Sequence, residues 1–324
     1  MRILVTGGAG YIGSHTANQL IQAGHHVVVF DNLSTGFIES VPKNSVFEKG
    51  DVTDAAALSG VMVRHKIEAV IHFAAKLSVA ESVSHPTSYY HNNTLGMLNL
   101  VQACKDNNIK YVVFSSTAAS YGHGVESGLL NETLPTVPIN PYGWSKVMSE
   151  RILTEGGKEY GIKNVILRYF NVAGAALDGK NGQKTANAYH LIHVGSQAAV
   201  GKRKQVAIYG TDYPTPDGTC IRDYIHVEDL AQLHVLALNY LVAGGESDVF
   251  NCGYGHGFSV REVLTTLRKV SGNEFPIVEE GRRAGDPAIL IADSSKIRKA
   301  FKWEPKYDNL EVICKSAFDW ERSL

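Results

Sequence analysis

Thr6-Gly7-Gly8-Ala9-Gly10-Tyr11-Ile12-Gly13 follows a short apolar run, Arg2-Ile-Leu-Val-Thr6, and leads into a segment of helical character over Ser14–Ala23. A strand, a glycine-rich turn and a helix in that order form the context of a dinucleotide-binding fingerprint. The glycines allow a tight turn, close approach of the backbone to a pyrophosphate, and close helix–strand packing. The helix N-terminus adds N–H donors and the positive end of its dipole. Asp31 ends the second apolar run, Val27–Phe30, at the spacing of about 20 residues expected of a carboxylate that accepts ribose hydroxyls. A 2′-phosphate would meet a like charge there, and no arginine follows in Asp31-Asn32-Leu33-Ser34. The expected cofactor is therefore NAD rather than NADP. Asp51-Val52 and Phe73-Ala74-Ala75 follow later strands and fit the same site, the first as an acid and amide for adenine, the second as small residues against which a cofactor can lie.

Outward from this loop, apolar runs alternate with helical patterns. Ile3–Val5, Val27–Phe30, Val46–Phe47, Ala69–Phe73, Tyr111–Ser115 and Val165–Arg168 read as strands. Ser14–Ala23, Ala55–His65, Tyr89–Asn107 and Tyr142–Tyr160 read as helices. Nearly continuous β-branched and aromatic runs suit parallel strands covered on both faces. The expectation is an α/β fold: a Rossmann-type doubly wound parallel sheet with a smaller C-terminal α/β substrate domain. The NAD-binding domain is placed at 1–172, with a return of the chain to it around 223–242, and the substrate domain at 173–324. Residues 174–188 read as a long loop, and 209–219 as a turn-dense stretch with Pro214, Pro216 and Gly218.

Composition narrows the function classes. The 324 residues carry a net charge of −1, so no basic field argues for nucleic acid or an anionic membrane. The one compact basic run, Lys202-Arg203-Lys204, reads as a solvated turn. Cys104, Cys220, Cys252 and Cys314 are far apart and form no CxxC, which points to free thiols in a reducing compartment. The histidines show no zinc-binding spacing. No stretch is apolar for long enough to span a bilayer, and the chain opens directly on a strand, so the expected location is the cytoplasm.

Tyr142 and Lys146 form the only YxxxK in the chain. Pro141 can open a helix, which sets the two side chains on one face. A nearby ammonium favours the phenolate and is expected to lower the tyrosine pKa from about 10. Such a tyrosine takes a proton from an alcohol while hydride leaves the same carbon. Ser115-Ser116-Thr117 ends a strand at the carboxyl edge, where ligands of open α/β sheets collect, and a hydroxyl there can bond the reacting oxygen.

With these residues the chain resembles the extended short-chain dehydrogenases/reductases, and among them the nucleotide-sugar 4-epimerases. The resemblance covers almost the whole length. It runs through Val5-Thr-Gly-Gly-Ala-Gly-Tyr-Ile-Gly-Ser-His15, Phe114-Ser-Ser-Thr-Ala-Ala-Ser-Tyr-Gly122, Pro141-Tyr-Gly-Trp-Ser-Lys146, Arg168-Tyr-Phe-Asn171 and Gly218-Thr-Cys-Ile-Arg-Asp-Tyr-Ile-His-Val227. It implies inversion at C4 of UDP-glucose and UDP-galactose through a transient 4-keto sugar. Tyr142 would be the base, Lys146 would tune it and bind the nicotinamide ribose, and Thr117 would bond the 4-oxygen. Cofactor contacts are implied at Gly7, Gly10, Tyr11, Ile12, Gly13, Asp31, Asn32, Asp51, Val52, Phe73, Ala74, Ala75, Asn92, Ser115 and Tyr169. Contacts to the UDP-sugar are implied at Asn171, His190, Leu191, Arg222, Arg283, Asp286 and Leu290. A homodimer built from the helices at 89–107 and 142–160 is implied too.

Some relatives carry a cofactor-binding lysine where this chain has Leu77, with Lys76 beside it. Leu290 lies where the family varies the room around sugar C2, so UDP-N-acetylhexosamine remains an alternative substrate, as do UDP-glucuronate and UDP-pentoses. A 4,6-dehydratase would need an Asp-Glu pair directly after Thr117, and Ala118-Ala119 cannot do acid–base work. A hydride-exporting dehydrogenase would consume free NAD. A redox-sensing module that only reads NAD would have no use for the Thr117-Tyr142-Lys146 set.

Overall fold

The computed structural model describes residues 1–184, 189–283 and 285–324. The loop expected over 174–188 therefore lies, at 185–188, outside the described residues.

In chain order the elements begin with β1 (Arg2–Thr6), α1 (Tyr11–Gln22), β2 (His26–Asp31), β3 (Val46–Lys49), α2 (Ala55–His65), β4 (Ala69–His72), α3 (Val79–Ser84), α4 (Pro86–Tyr89), α5 (Gly96–Asp106) and β5 (Tyr111–Ser115). They continue with β6 (Leu129–Leu130), α6 (Pro141–Tyr160), β7 (Lys163–Tyr169), β8 (Asn171–Ala173), α7 (Leu191–Ala199), β9 (Val206–Tyr209), β10 (Ile221–Arg222), β11 (Tyr224–His226) and α8 (Val227–Val242). The last are β12 (Asp248–Cys252), β13 (Phe258–Ser259), α9 (Val260–Ser271), β14 (Ile277–Glu280), β15 (Ile289–Ala292), α10 (Ser295–Phe301) and α11 (Leu310–Ser323). The chain divides into two compact units. The first comprises Met1–Gly122, Pro135–Arg168 and Ala231–Phe250, the second His123–Leu134, Tyr169–Leu230 and Asn251–Leu324. The returning stretch thus starts later than the 223–242 expected, and His123–Leu134 leaves the first unit early.

The first unit holds a seven-stranded sheet in the order β12-β7-β5-β4-β1-β2-β3. β1 pairs in parallel with both β2 and β4, and β5 with β4 and β7. This is the expected Rossmann-type sheet. The winding reverses between β1 and β4, which opens a crevice at their carboxyl ends. Leu4, Val28, Val70, Val112 and Ile166 share a core cluster with Leu58, Val61 and Met62 of α2, Leu100 of α5 and Leu153 of α6. Ile3, Val5, Ile71, Val113 and Val165 alternate with them and are equally buried, so the central strands are covered on both faces. Each such side chain contributes about 1.5–3 kcal/mol by leaving water.

The helix expected over 89–107 is present and continuous in backbone, with one wide turn inside it. The run 89–107 becomes α4, one π-helical turn over Tyr90–Leu95, and α5. Two contacts accompany the wide turn. Gly96 opens α5 hard against Val52, whose Cγ2 lies 2.8 Å from where a Cβ would stand. The buried Asn93 side chain meanwhile bonds the backbone of Lys76 and the Ser145 hydroxyl of α6. A wider turn is one way to aim that residue inward.

The second unit, read as loose from its sequence, is ordered around a four-stranded sheet, β13-β10-β15-β6, with β8–β11 and β9–β14 as parallel pairs. Its α7, α9 and α11 pack together. Asp223 is fully buried and accepts the N–H groups of Tyr254, Gly255 and Ala292 at 3.0, 3.1 and 3.3 Å. Lys202 of the basic run donates to Glu321 at the end of α11, at 2.8 Å to the carbonyl and 3.0 Å to Oε1. No helix among the described residues is long and apolar enough to cross a membrane.

His72, at the end of β4, meets Thr6 Oγ1 at 2.7 Å and is 2% exposed. Burial lowers its pKa to about 3, so it stays neutral in the fold. As pH falls below about 6.5 the unfolded chain binds this proton and the native state does not, so stability falls, by up to about 1.4 kcal/mol per pH unit. Asp223, raised by burial to about 6, acts in the opposite sense over the same range. The difference between two proteins therefore isolates the histidine. His72→Asn should flatten the dependence of unfolding free energy on pH by close to one proton at pH 4.5–5.5, read by urea denaturation; an unchanged slope would place the titration elsewhere.

Candidate active site

Gly7 has φ +70°, the left-handed region that favours glycine. A Cβ there would stand 2.6 Å from Ala74 N, because the turn after β1 runs directly against the end of β4. Gly13 is equally constrained, since its Cβ would drive into Gly7 O. Gly10 differs: its Cβ would meet only Gly7 O, at 3.2 Å, and otherwise open space. Gly7 and Gly13 are thus required by the chain's own packing, whereas Gly10 keeps an approach clear. α1 starts at Tyr11 with Gly10 as an N-cap that offers no side-chain hydrogen bond, and its first turn carries no acid. The amides of Tyr11, Ile12 and Gly13 so face an approaching anion without a competing carboxylate.

Asp31, Asn32 and Asp51 come together at the ends of β2 and β3. Asp31 accepts Ala9 N at 3.0 Å and Leu33 N at 2.8 Å, and burial raises its pKa against these two bonds. Asn32 Nδ2 donates to Asp51 Oδ2 at 2.7 Å. Burial works to raise Asp51 too, but the Thr53 amide, Asn32 and the Thr53 hydroxyl hold it below the usual carboxylate range. Asn99 of α5 donates to the carbonyls of Val52 and Thr53 at 3.0 and 2.9 Å, which fixes the turn. Phe73, Ala74 and Ala75 follow β4, with the Phe73 ring 4.6 Å from that of His234.

Asn140 caps α6 by accepting Gly143 N at 2.8 Å, with Pro141 at the first helical position. Tyr142 and Lys146 then follow on one buried face. The Thr117 hydroxyl hydrogen-bonds the Tyr142 phenol, and Lys146 Nζ donates to Ser115 O at 2.9 Å and lies 4.9 Å from the centre of the Phe114 ring. Gly143 permits the approach, since a Cβ there would lie 2.9 Å from Ala119 O. Thr117, Tyr142, Lys146 and Ser115 are therefore one cluster. The electrostatics depart from expectation in one respect. Burial raises Tyr142 to about 12, with the Thr117 hydroxyl acting against it. Lys146 is itself lowered to about 7 by burial, with Glu150 working the other way. The Lys146 ammonium is held on Ser115 O.

Several residues in this cluster carry no sequence motif. Asn93 joins the end of β4 to α6, and Ser145, which it bonds at 2.9 Å, donates in turn to Tyr142 O at 2.7 Å. Asn92 donates to Asn93 Oδ1 at 2.9 Å. Tyr89 is fully buried, with its ring edge-on to Tyr142 at 6.5 Å. Glu150 and Arg168 form a buried pair with Ser116. The available signals were a polar residue one turn from Lys146 and an arginine ending the apolar run Val165–Leu167.

The second unit gathers another group. Arg222 Nη2 lies 3.6 Å from Asp286 Oδ1, and the Arg283 guanidinium stacks 3.7 Å from the Tyr209 ring. Leu290 pairs with Arg222 across β15 and β10. Asn171 Nδ2 donates to Asp223 O at 3.2 Å. His190 caps α7 ahead of Leu191, is exposed, and has Nδ1 at 3.0 Å from Gln183 Nε2. Tyr169 ends β7 and is half-buried. Lys76 pairs with Glu81 at 3.6 Å.

NAD fits the first group. The Gly10 approach suits a pyrophosphate, and Lys146 uses one of its three N–H donors, on Ser115 O, among the described residues. Residues 3–253 match the NAD dependent epimerase/dehydratase family. The chain is 54% identical over its whole length to the UDP-glucose 4-epimerase of Azospirillum brasilense, covering 92% of that protein. It superposes with a TM-score of 0.96 on the UDP-glucose 4-epimerase of Brucella ovis in complex with NAD, at 42% identity and covering 99% of this chain and 98% of the other. The UDP-Glc/GlcNAc 4-epimerase of Campylobacter jejuni matches with a TM-score of 0.88 and 48% identity, covering 100% and 99%. With the loop, the cluster and these full-length likenesses in agreement, the chain belongs to the NAD dependent epimerase/dehydratase family.

Proposed function

We propose that this protein is an isomerase that interconverts UDP-glucose and UDP-galactose by inversion at C4, using NAD. The observation that carries the mechanism is the Thr117–Tyr142 hydrogen bond with Lys146 one helical turn beyond it. Asp31 and Asn32 would hold the adenosine ribose, the α1 amides the pyrophosphate, and Lys146 the nicotinamide ribose. When bound, NAD supplies the acceptor of hydride in the outward step, the donor in the return, and a positive charge beside the phenol.

Tyr142 takes the proton of the sugar 4-hydroxyl as C4 is oxidised to a ketone, and gives it back when C4 is reduced on its opposite face. Thr117 bonds the 4-oxygen throughout and keeps it in line with the phenol. Because burial pushes Tyr142 up to about 12, the positive charge of the bound cofactor would have to offset that desolvation. In the second unit Arg222 and Arg283 supply planar charged donors for the diphosphate, Asp286 an acceptor for the uridine ribose, and Asn171, His190, Leu191 and Leu290 border the sugar. Ala118 and Ala119 close the turn after Thr117 and offer no acid for dehydration. Acceptance of N-acetylated sugars is the second reading, favoured by the Campylobacter likeness, and parallel assays on UDP-galactose and UDP-N-acetylgalactosamine separate the two.

The protein is further proposed to act in the cytoplasm, supported by four free, buried cysteines, and as a homodimer. Leu98 on α5 and Trp144 and Met148 on α6 are 49%, 40% and 40% exposed, an unusual apolar display for adjacent helices.

Purified protein given UDP-galactose without added NAD should form UDP-glucose over many turnovers; a stoichiometric demand for NAD with accumulation of NADH would defeat the proposal. Tyr142→Phe should lose at least about 100-fold in kcat while keeping its NAD. Substantial turnover in that variant would remove the base role. Trp144→Glu combined with Met148→Glu should convert a dimer to a monomer in sedimentation velocity, and a monomeric parent protein would contradict the assembly.

A further inference from the structure

Glu150 lies one helical turn beyond Lys146 on α6, and Arg168 stands on β7; each is 6% exposed. Arg168 Nε and Nη2 donate to Glu150 Oε1 and Oε2 at 2.9 and 2.5 Å, a bidentate pairing. Glu150 Oε1 also accepts the Ser116 hydroxyl at 2.5 Å. The other face of the guanidinium lies 4.9 Å from the Tyr121 ring.

A buried ion pair contributes little net stability, because desolvating both ions offsets most of their attraction, and an apolar pair of similar volume often does as well. Stability alone therefore does not explain two charges at this place. Their contacts do. Three successive residues at the end of β5 are tied to three residues of α6: Ser115 O to Lys146, the Ser116 hydroxyl to Glu150, and the Thr117 hydroxyl to Tyr142. The middle tie is the one anchored by a second ion, and it sits between the two that hold reacting groups.

We propose that the Glu150–Arg168 pair is the positioning device of this reaction centre, holding Ser116 so that Ser115 and Thr117 keep Lys146 and Tyr142 in working register. The inference rests on the roles given above to Thr117, Tyr142 and Lys146. Glu150 touches neither substrate nor cofactor; it acts through the strand end, and its charge also favours the Lys146 ammonium against burial. The other titratable groups about that ammonium are Tyr142 on the same helix, His72 on β4, which burial keeps neutral, Arg168 on β7, and His234 on α8, whose Nε2 lies 3.2 Å from Ser115 Oγ.

The test uses the NAD-loaded protein and three variants: Ser116→Ala, Glu150→Gln, and the double variant Glu150→Met/Arg168→Met. Ser116→Ala cuts the tie and leaves the ion pair. It should lower kcat about tenfold, with KM for UDP-galactose within about threefold and NAD retained. The double variant removes both charges together, so it should melt close to the parent. Its kcat should fall about 100-fold, and the basic limb of its kcat–pH profile should move to lower pH as Lys146 loses its nearest anion. Glu150→Gln should show the same profile shift with a lowered melting temperature, since Arg168 is left unpaired. A merely structural pair would change melting temperature and leave kcat and the profile of folded protein untouched, and that result overturns the proposal. Should the glutamate variants fail to fold, an unchanged kcat in Ser116→Ala overturns it alone. Full activity in Tyr142→Phe would instead overturn the mechanism beneath it.

Discussion

The turn after β1 and the end of β4 approach so closely that no side chain fits between Gly7 and Ala74. This steric limit follows from the topology. β1 lies between β2 and β4, and the winding reverses on its β4 side, so the connections that leave the two strands part to either side of a crevice. Gly7 N donates to Phe30 O at 2.8 Å and Phe73 N to Thr6 O at 2.9 Å, which fastens the turn to both neighbours. Once those three strand ends are joined, the first turn of α1 is aimed at the crevice, and Asp31 and Asp51 are carried to its side. A cofactor held there is held by backbone and by short side chains whose positions are already fixed.

Placing the reacting groups depends on a second constraint, the tie between β5 and α6. Apart from Val147 and Leu153, the helix buries small or polar residues: Gly143, Ser145, Ser149 and Gly157 lie beside Tyr142, Lys146 and Glu150. Such a face cannot be held by apolar packing alone. It is held by hydrogen bonds to the strand end and to Asn93, with the Gly143–Ala119 contact setting the distance. The cost is visible in the titration of the site. Burial pushes the phenol up and the ammonium down, each away from its useful state.

The first unit was legible because its strands are buried on both faces and its glycines obey one spacing. The α2 limits, Ala55–His65, agree with the pattern to the residue. The helix expected over 89–107 is there, but periodicity did not register its π turn, which goes with the distant contacts of Asn93 and Gly96. The second unit read as loose because its strands are two to four residues long. Its order comes from pairings far apart in sequence, such as β10 with β15 and β9 with β14.

By itself the sequence determined the dinucleotide loop, the acid at the end of the second strand, and the Tyr142–Lys146 pair, since each is a local spacing with a local physical meaning. It also determined that Ala118 and Ala119 follow Thr117. Tertiary structure alone decided that Ser116 joins Glu150 and Arg168, and that Lys146 donates to Ser115 O. It decided too that the titration of Tyr142 is governed by burial. Desolvation depends on what surrounds a group from every side, and a spacing along the chain carries no record of that.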